Sequence, residues 1–216
     1  MGRERKELKR EKRFKKLNSL FVIATEGEKT ELQYFSQYKD NFDLEGKRIT
    51  LEIIPSRKGE SSPSYILKNL DSFKKENDLR GIDRLWMVID RDSHSWKPKE
   101  IRDVATKCQQ KKYGLALSNP CFELWVLLHL ADLSLYSESD KKEIELNARV
   151  TKDRTRIEKE ILKYINSYNK KNQNFIPLFT NVQKAIDNAK KLSKKKNERW
   201  PSSLGTHIYK IMEELK

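Results

Sequence analysis

The chain has little cysteine and lacks several familiar catalytic motifs. Its 216 residues include two cysteines, Cys108 and Cys121, which form no C-x-x-C pair. We therefore expect core thiols in a reducing compartment. The sequence contains no zinc-ligand spacing, no G-x-x-x-x-G-K-[ST] phosphate loop and no G-x-S-x-G nucleophile elbow. These absences argue against a zinc site, a P-loop ATPase and a serine hydrolase of the α/β type.

Long apolar runs are also missing. No stretch approaches the length of a membrane span, and the first sixteen residues lack the apolar region of a signal peptide. We expect a cytoplasmic protein with no membrane partner. Apolar residues make up 36% of the chain and charged residues another 36%, so the helices should carry charged outer faces around a modest core. The length predicts one domain with a smaller attached part.

The charge balance points to an acidic partner. The net charge is +14, and a charge of this size indicates what a protein binds rather than how it folds. Nucleic acid is the favoured partner, and an acidic partner protein is the alternative. Residues 1–17 form a basic arm, which either contacts phosphates or is a solvated tail. The sequence leaves the oligomeric state open, with a homo-oligomer among the alternatives.

Short apolar runs alternate with amphipathic segments through the first 130 residues. The strand signals lie at 20–24, 49–55, 82–90 and 114–117. This alternation predicts an α/β fold with a parallel sheet of about four strands and helices on both faces. Beyond these strands, helices are expected at 141–168, 181–196 and 204–215. We therefore predict an α/β domain at 18–135 and a helical C-terminal extension at 136–216.

Acidic residues stand at the ends of two predicted strands. Asp90 ends an apolar run and is followed by Asp92, and Glu26 follows the first strand. Parallel strands lie about 4.8 Å apart, and ligands of open α/β sheets bind beyond their carboxyl ends. If the first and third strands are neighbours, three carboxylates converge there, and a divalent cation would relieve their repulsion. We therefore predict Mg²⁺ or Mn²⁺ bound by Glu26, Asp90 and Asp92.

Other interpretations of these residues stay open. The D-x-D could be a chance pair in a solvated turn. Glu26 could be a metal ligand, a general acid or base, or an acid that interacts with a helix dipole. Thr25 and Glu28 have capping-box spacing, which predicts a helix start. Glu28, Lys29 and Glu31 are then expected in its exposed first turn.

Further charged residues are expected near the same edge. Lys29 and the loop residues Arg57 and Lys58 are candidates for nucleic-acid binding, with solvated side chains as the alternative. Glu123 begins an apolar helix, where a lone acid is costly unless it is paired. It is either a dipole partner or a fourth catalytic acid beside the three above. We expect His129 to be a satisfied core histidine.

Four segments carry a resemblance to a known family. They are Ala24–Glu31 (ATEGEKTE), Val88–Asp92 (VIDRD), Ser118–Trp125 (SNPCFELW) with His129, and Pro201–His207 (PSSLGTH). Together they resemble the RloB-like family, which is similar to Toprim proteins, the fold of topoisomerases, primases and OLD-type nucleases. The resemblance implies a Toprim-like Rossmannoid sheet. It also implies Mg²⁺ at the acids Asp90 and Asp92, an acid/base or ligand role for Glu26, and a further acid at Glu123.

The resemblance further implies a function. The implied protein would be a Mg²⁺-dependent nuclease of a bacterial anti-phage defence system, of the abortive-infection type or linked to restriction–modification. It would act with an ABC- or AAA-type ATPase. The chain departs from the family's pattern in one respect: its D-x-D is not accompanied by a second clear acidic cluster. This arrangement suits one metal ion rather than two. The substrate, DNA or RNA, is left open. The alternatives are a catalytically silent module that binds nucleic acid or a partner, and a nucleotidyl transferase of primase type.

Overall fold

The structure is a computed structural model, and it describes residues 18–27, 29–44, 46–56, 62–91, 97–193 and 198–216. The predicted basic arm at 1–17 lies outside these ranges. The strands are β1 (Ser19–Thr25), β2 (Ile49–Pro55), β3 (Arg84–Asp90), β4 (Gly114–Asn119), β5 (Arg149–Thr151), β6 (Arg154–Thr155) and β7 (Gly205–Thr206). The helices are α1 (Thr30–Asn41), α2 (Pro63–Glu76), α3 (Pro98–Lys111), α4 (Glu123–Leu130), α5 (Glu138–Leu146), α6 (Arg156–Ile161), α7 (Val182–Leu192) and α8 (Ile208–Leu215).

The main sheet has the strand order β2-β1-β3-β4-β7. β1 to β4 are parallel to their neighbours, and β7 runs antiparallel to β4. The α/β fold class is therefore confirmed, and the first and third strands are neighbours. In register, Thr25 lies opposite Val88, and Asp90 lies opposite Ser118. The carboxyl ends of β1, β3 and β4 consequently meet at one edge of the sheet.

Helices cover both faces of the sheet because its central strands alternate apolar side chains between two cores. On one face, Ile23 and Val88 belong to a core built with α1, α4, α7 and α8. On the other face, Val22 and Ile89 pack against α2 and α3. The central strands are thus buried on both sides, which is typical of parallel sheets.

The C-terminal part of the chain packs onto the same sheet. The first core contains apolar side chains from both sides of residue 135, among them Trp125, Phe175, Ile186 and Ile211. β7 adds a strand that the sequence did not indicate, because it is two residues long. The division into a domain at 18–135 and an extension at 136–216 stays a prediction.

The helix predicted over 141–168 is wrong, because a hairpin of β5 and β6 interrupts it. Asn147 ends α5 in the left-handed conformation, with φ 45°, and its side chain accepts a hydrogen bond from the Ile157 amide at 3.0 Å. Thr155 then starts α6 with a capping box to Glu158. These local polar contacts stop and restart the helix despite an almost continuous pattern of helix-forming residues.

The cysteines are free, with Cys108 buried and Cys121 half-buried. None of the helices in the described ranges is both long enough and apolar enough to cross a membrane.

Candidate functional site

Glu26 and Asp90 meet at the carboxyl ends of β1 and β3. The Glu26 amide donates to Val88 O at 3.0 Å, which continues the ladder beyond β1. The Asp90 amide donates to Glu26 Oε2 at 3.0 Å. Ser56, after β2, donates from its hydroxyl to the carbonyl of Glu26. The Glu26 carboxylate is therefore fixed against the last residue of β3, where the strand order predicts it.

Asp90 carries a carboxylate oxygen without a partner. Within the described residues, its Oδ1 is shielded from solvent and has no hydrogen-bond partner. Burial raises the pKa of Asp90 well above its ordinary value, the acids Glu31, Glu123 and Glu26 raise it further, and a backbone hydrogen bond with Phe122 opposes the rise in part. A buried oxygen of this kind is costly unless something binds it. A cation beside Asp90 would remove that cost.

Glu31 is a third acid at this edge, and its predicted exposure is wrong. Its side chain is buried. Burial raises the pKa of Glu31 to about 7, the Glu123 and Glu26 carboxylates add to the rise, and backbone amides, including that of Gly27, partly oppose it. The sequence signal was the last glutamate of the E-G-E-K-T-E segment. In the sequence this glutamate looks like an exposed acid of a first helical turn.

The start of α1 also differs from the prediction. The helix begins at Thr30, and its N-cap Lys29 makes no capping hydrogen bond through its side chain. The Thr25 hydroxyl instead donates to Gly27 O at 2.9 Å, inside the turn after β1. The capping box assigned to Thr25 is therefore wrong, and its predicted partner Glu28 lies outside the described residues. Glu31 lies on the same face of α1 as the buried Tyr34, Phe35 and Tyr38.

Glu123 is a buried and paired acid. It lies in the first turn of α4, followed by side chains that are buried throughout. The Thr30 hydroxyl donates to Glu123 Oε1 at 3.3 Å, and Lys170 Nζ lies 3.1 Å from the same oxygen. Because Glu123 raises the pKa of both Asp90 and Glu31, it belongs to the same cluster. We call Glu26, Glu31, Asp90 and Glu123 the acid edge.

Lys170 is a residue that sequence reasoning missed. Its ammonium also lies 3.3 Å from Glu158 Oε1 at the start of α6. The loop that carries it is held on α1 by Gln33, whose side-chain amide donates to Lys170 O at 3.0 Å and to Lys171 O at 3.1 Å. Gln37 holds the next stretch by donating to Gln173 O at 2.8 Å. No sequence motif indicates a contact between Lys170 and Glu123, which are far apart in the chain.

His129 is a satisfied core histidine, as predicted. Its two ring nitrogens lie 3.1 Å from the Tyr34 hydroxyl and 2.9 Å from the Trp125 carbonyl oxygen. Burial lowers the pKa of His129 to about 4. The histidine is therefore neutral near pH 7, and its ring packs against Tyr34 and Trp125.

The remaining predicted site residues are placed only in part. Asp92, Arg57 and Lys58 lie outside the described residues. Lys29 is exposed beside the acid edge at the start of α1. Arg91 precedes Asp92, and its guanidinium donates to Ser202 O at 2.6 Å. This contact joins the end of β3 to the segment that leads into β7.

The donor set of the acid edge suits a hard divalent cation. Within the described ranges, no group of three or more His, Cys, Asp or Glu side chains is already arranged to hold a metal ion. Glu26 nevertheless holds a carboxylate oxygen 3.0 Å from the Asp90 amide, and Asp90 Oδ1 is buried without a partner in the same ranges. Mg²⁺ uses one or two carboxylates and keeps several waters. The residues present therefore fit such an ion.

Gly27 is required by the position of Glu31. A Cβ at residue 27 would collide with the Glu31 carboxylate. We expect Gly27→Ala to destabilise the protein by about 1–3 kcal/mol, as overpacking does. In a Glu31→Ala background, Gly27→Ala should lower the free energy of unfolding by much less. Urea unfolding of the four proteins gives the coupling energy, expected at about 0.5–3 kcal/mol. An equal loss of stability on Gly27→Ala in both backgrounds would contradict the close contact between residue 27 and Glu31.

Comparison with known proteins identifies the family. A search of the curated proteins and a search of the solved structures each found no match. The family model described as RloB-like protein matches residues 21–215. The match includes all four residues of the acid edge and Lys170, and it spans nearly the whole chain. The chain therefore belongs to the RloB-like protein family.

Proposed function

We propose that the chain is a nuclease that hydrolyses phosphodiester bonds of DNA or RNA and depends on Mg²⁺ or Mn²⁺. The observation that carries the proposal is the meeting of Glu26 and Asp90 at adjacent strand ends, with Asp90 Oδ1 buried and lacking a hydrogen-bond partner in the described ranges. Ligands bind at this edge in open α/β sheets. A basic chain with an acidic cluster at its binding edge suits a polyanionic substrate that is cut with the help of a metal ion.

The residues have distinct tasks in this proposal. Asp90 and Asp92 hold the metal ion, which when bound polarises a phosphoryl oxygen and lowers the pKa of water. Glu26 transfers a proton at the attacking or the leaving oxygen, and the Asp90 amide keeps its carboxylate in place. Lys29, Arg57 and Lys58 bind phosphates of the substrate backbone. Glu123 keeps its place in the acid edge through Thr30 and Lys170.

The finer parts of the proposal rest on the motifs of the family. We propose a relationship to Toprim nucleases, with Glu26 and the D-x-D of Asp90 and Asp92 as the shared acids. We also propose a cytoplasmic role in bacterial anti-phage defence, together with an ABC- or AAA-type ATPase. The net charge of +14 supports nucleic acid as the substrate.

A catalytically silent binding module is the second candidate. It is favoured by the absence, in the described ranges, of a ready-made group of three metal-binding side chains. In this alternative the acid edge is neutralised by Lys170 and by protonation, and the basic surface binds nucleic acid or an acidic partner protein.

A cleavage assay separates the two candidates. The purified chain is incubated with single- and double-stranded DNA and RNA, in Mg²⁺, in Mn²⁺ and in EDTA, with and without an ABC- or AAA-type ATPase as the proposed partner. Cleavage of at least one substrate that stops in EDTA is expected for the nuclease. Binding of these nucleic acids without cleavage under any of the conditions would favour the module.

A further inference from the structure

The acid edge already contains one cation that belongs to the chain. Lys170 Nζ lies 3.1 Å from Glu123 Oε1 and 3.3 Å from Glu158 Oε1. The two glutamates are almost fully buried, with 6% and 7% of their side chains exposed, whereas Lys170 is half-buried. The ammonium thus bridges two acids that come from α4 and α6.

The placement of Lys170 does not depend on its charge alone. Gln33 on α1 binds the carbonyl oxygens of Lys170 and Lys171 through its side-chain amide, and its side-chain oxygen accepts from the Gln173 amide at 2.9 Å. The loop is therefore fixed to the same helix that supplies Glu31. Although burial lowers the pKa of Lys170, the charge and hydrogen bond of Glu123 and the charge of Glu158 act together against it, and that pKa is raised above its usual range. The lysine is a permanent cation.

A second polar group faces this part of the acid edge. The Tyr168 hydroxyl is buried and has no hydrogen-bond partner within the described residues. Burial raises its pKa well above the ordinary value, and the Glu123 and Glu158 carboxylates raise it further. The Tyr168 hydroxyl is thus a further buried polar group near Glu123 and Glu158.

Two positions for positive charge follow from this geometry. One lies beside Asp90, where Oδ1 has no hydrogen-bond partner in the ranges described. The other lies between Glu123 and Glu158 and is filled by Lys170. Two-metal nucleases place two divalent ions about 3.5–4 Å apart to stabilise the attacking and the leaving oxygens. The Lys170 ammonium lies against Glu123 Oε1, so this carboxylate already has a positive charge where a second ion would bind.

We infer that the Lys170 ammonium takes the place of a second divalent cation, so that the chain binds one metal ion and not two. This inference rests on the proposed function, since it takes the acid edge as a metal site. Lys170 is a positioning residue here, because it holds Glu123 and fixes the charge of the site. A purely structural role, in which Lys170 only neutralises a buried acid, predicts no effect on the number of bound ions.

The test counts Mn²⁺ ions bound per chain, by calorimetry and by the loss of the electron paramagnetic resonance signal of free Mn²⁺. The proteins are the wild type, Lys170→Met, Lys170→Arg and the matched control Lys171→Met, which removes the same charge from an exposed neighbour. We expect one ion in the wild type, in Lys170→Arg and in the control. In Lys170→Met, where Glu123 and Glu158 lose their cation, we expect a second ion.

Each other outcome overturns the inference. Two ions in the wild type would show that Lys170 does not occupy a cation position, while leaving the proposed nuclease intact. One ion in both the wild type and Lys170→Met would assign Lys170 a structural role only. No ion in the wild type would remove the metal-dependent function itself, together with this inference. Should Lys170→Met not fold, the ions are counted in Lys170→Gln, which removes the charge but keeps a hydrogen-bond donor: two ions support the inference, and one ion overturns it.

Discussion

Glu26→Gln is expected to lower the rate of metal-dependent cleavage by about 10²- to 10⁴-fold, the range for loss of a general acid or base. The amide oxygen of glutamine can still accept the hydrogen bond from the Asp90 amide, so the turn after β1 keeps its geometry. The glutamine cannot transfer a proton. The measurement is the single-turnover cleavage rate, on whichever nucleic acid the wild type cuts, with saturating Mg²⁺.

The matched control for this variant is Glu76→Gln, which removes the same charge from the exposed end of α2. It should cleave at the wild-type rate. A Glu26→Gln protein that also cleaves at the wild-type rate would show that Glu26 takes no part in the chemistry. In that case its hydrogen bond to the Asp90 amide would be a structural contact.

Glu31→Gln is expected to make the metal-free protein more stable at alkaline pH. The pKa of Glu31 in the folded protein is raised from 4.5 to about 7 by burial first and then by Glu123. Between these values the folded chain binds more protons than the unfolded chain, so the free energy of unfolding falls as pH rises. By about pH 8 the loss amounts to roughly 3 kcal/mol. A neutral glutamine at this position avoids that loss.

Urea unfolding in EDTA at a series of pH values measures this effect. The wild type should lose stability between about pH 4.5 and pH 7, and this loss should be smaller in Glu31→Gln, with the gap widest near pH 8. The exposed acid variant Glu76→Gln should follow the wild-type curve. Parallel curves for Glu31→Gln and the wild type would contradict a repulsive cluster. Saturating Mg²⁺ should narrow the gap, because a bound cation relieves the same repulsion.

The sequence predicted the part of the site that depends on strand order. Apolar runs ending in Glu26 and Asp90 fixed the strands, and the alternation with helices indicated a parallel sheet. Since parallel strands end at one edge, the meeting of these two acids followed once β1 and β3 were taken as neighbours. The hydrogen bond from the Asp90 amide to Glu26 agrees with that reasoning.

The parts that were missed depend on contacts that leave no local pattern. Glu31 is buried because it shares one face of α1 with Tyr34 and Phe35, and an acid at that position gives no apolar signal in the sequence. Lys170 reaches Glu123 only because Gln33 fixes its loop on α1. β7 has two residues, too few to give an alternating pattern. Each of these features depends on tertiary packing and not on the secondary-structure propensity of the local sequence.

The central claim is that the acid edge binds a divalent cation beside Asp90. Anomalous diffraction at the manganese edge, from crystals of the chain grown with Mn²⁺, locates such an ion directly. The account predicts a peak within coordination distance of Asp90 Oδ1 that is absent from crystals of Asp90→Asn. A wild-type crystal with no peak at this edge, or with the same peak in Asp90→Asn, would contradict it.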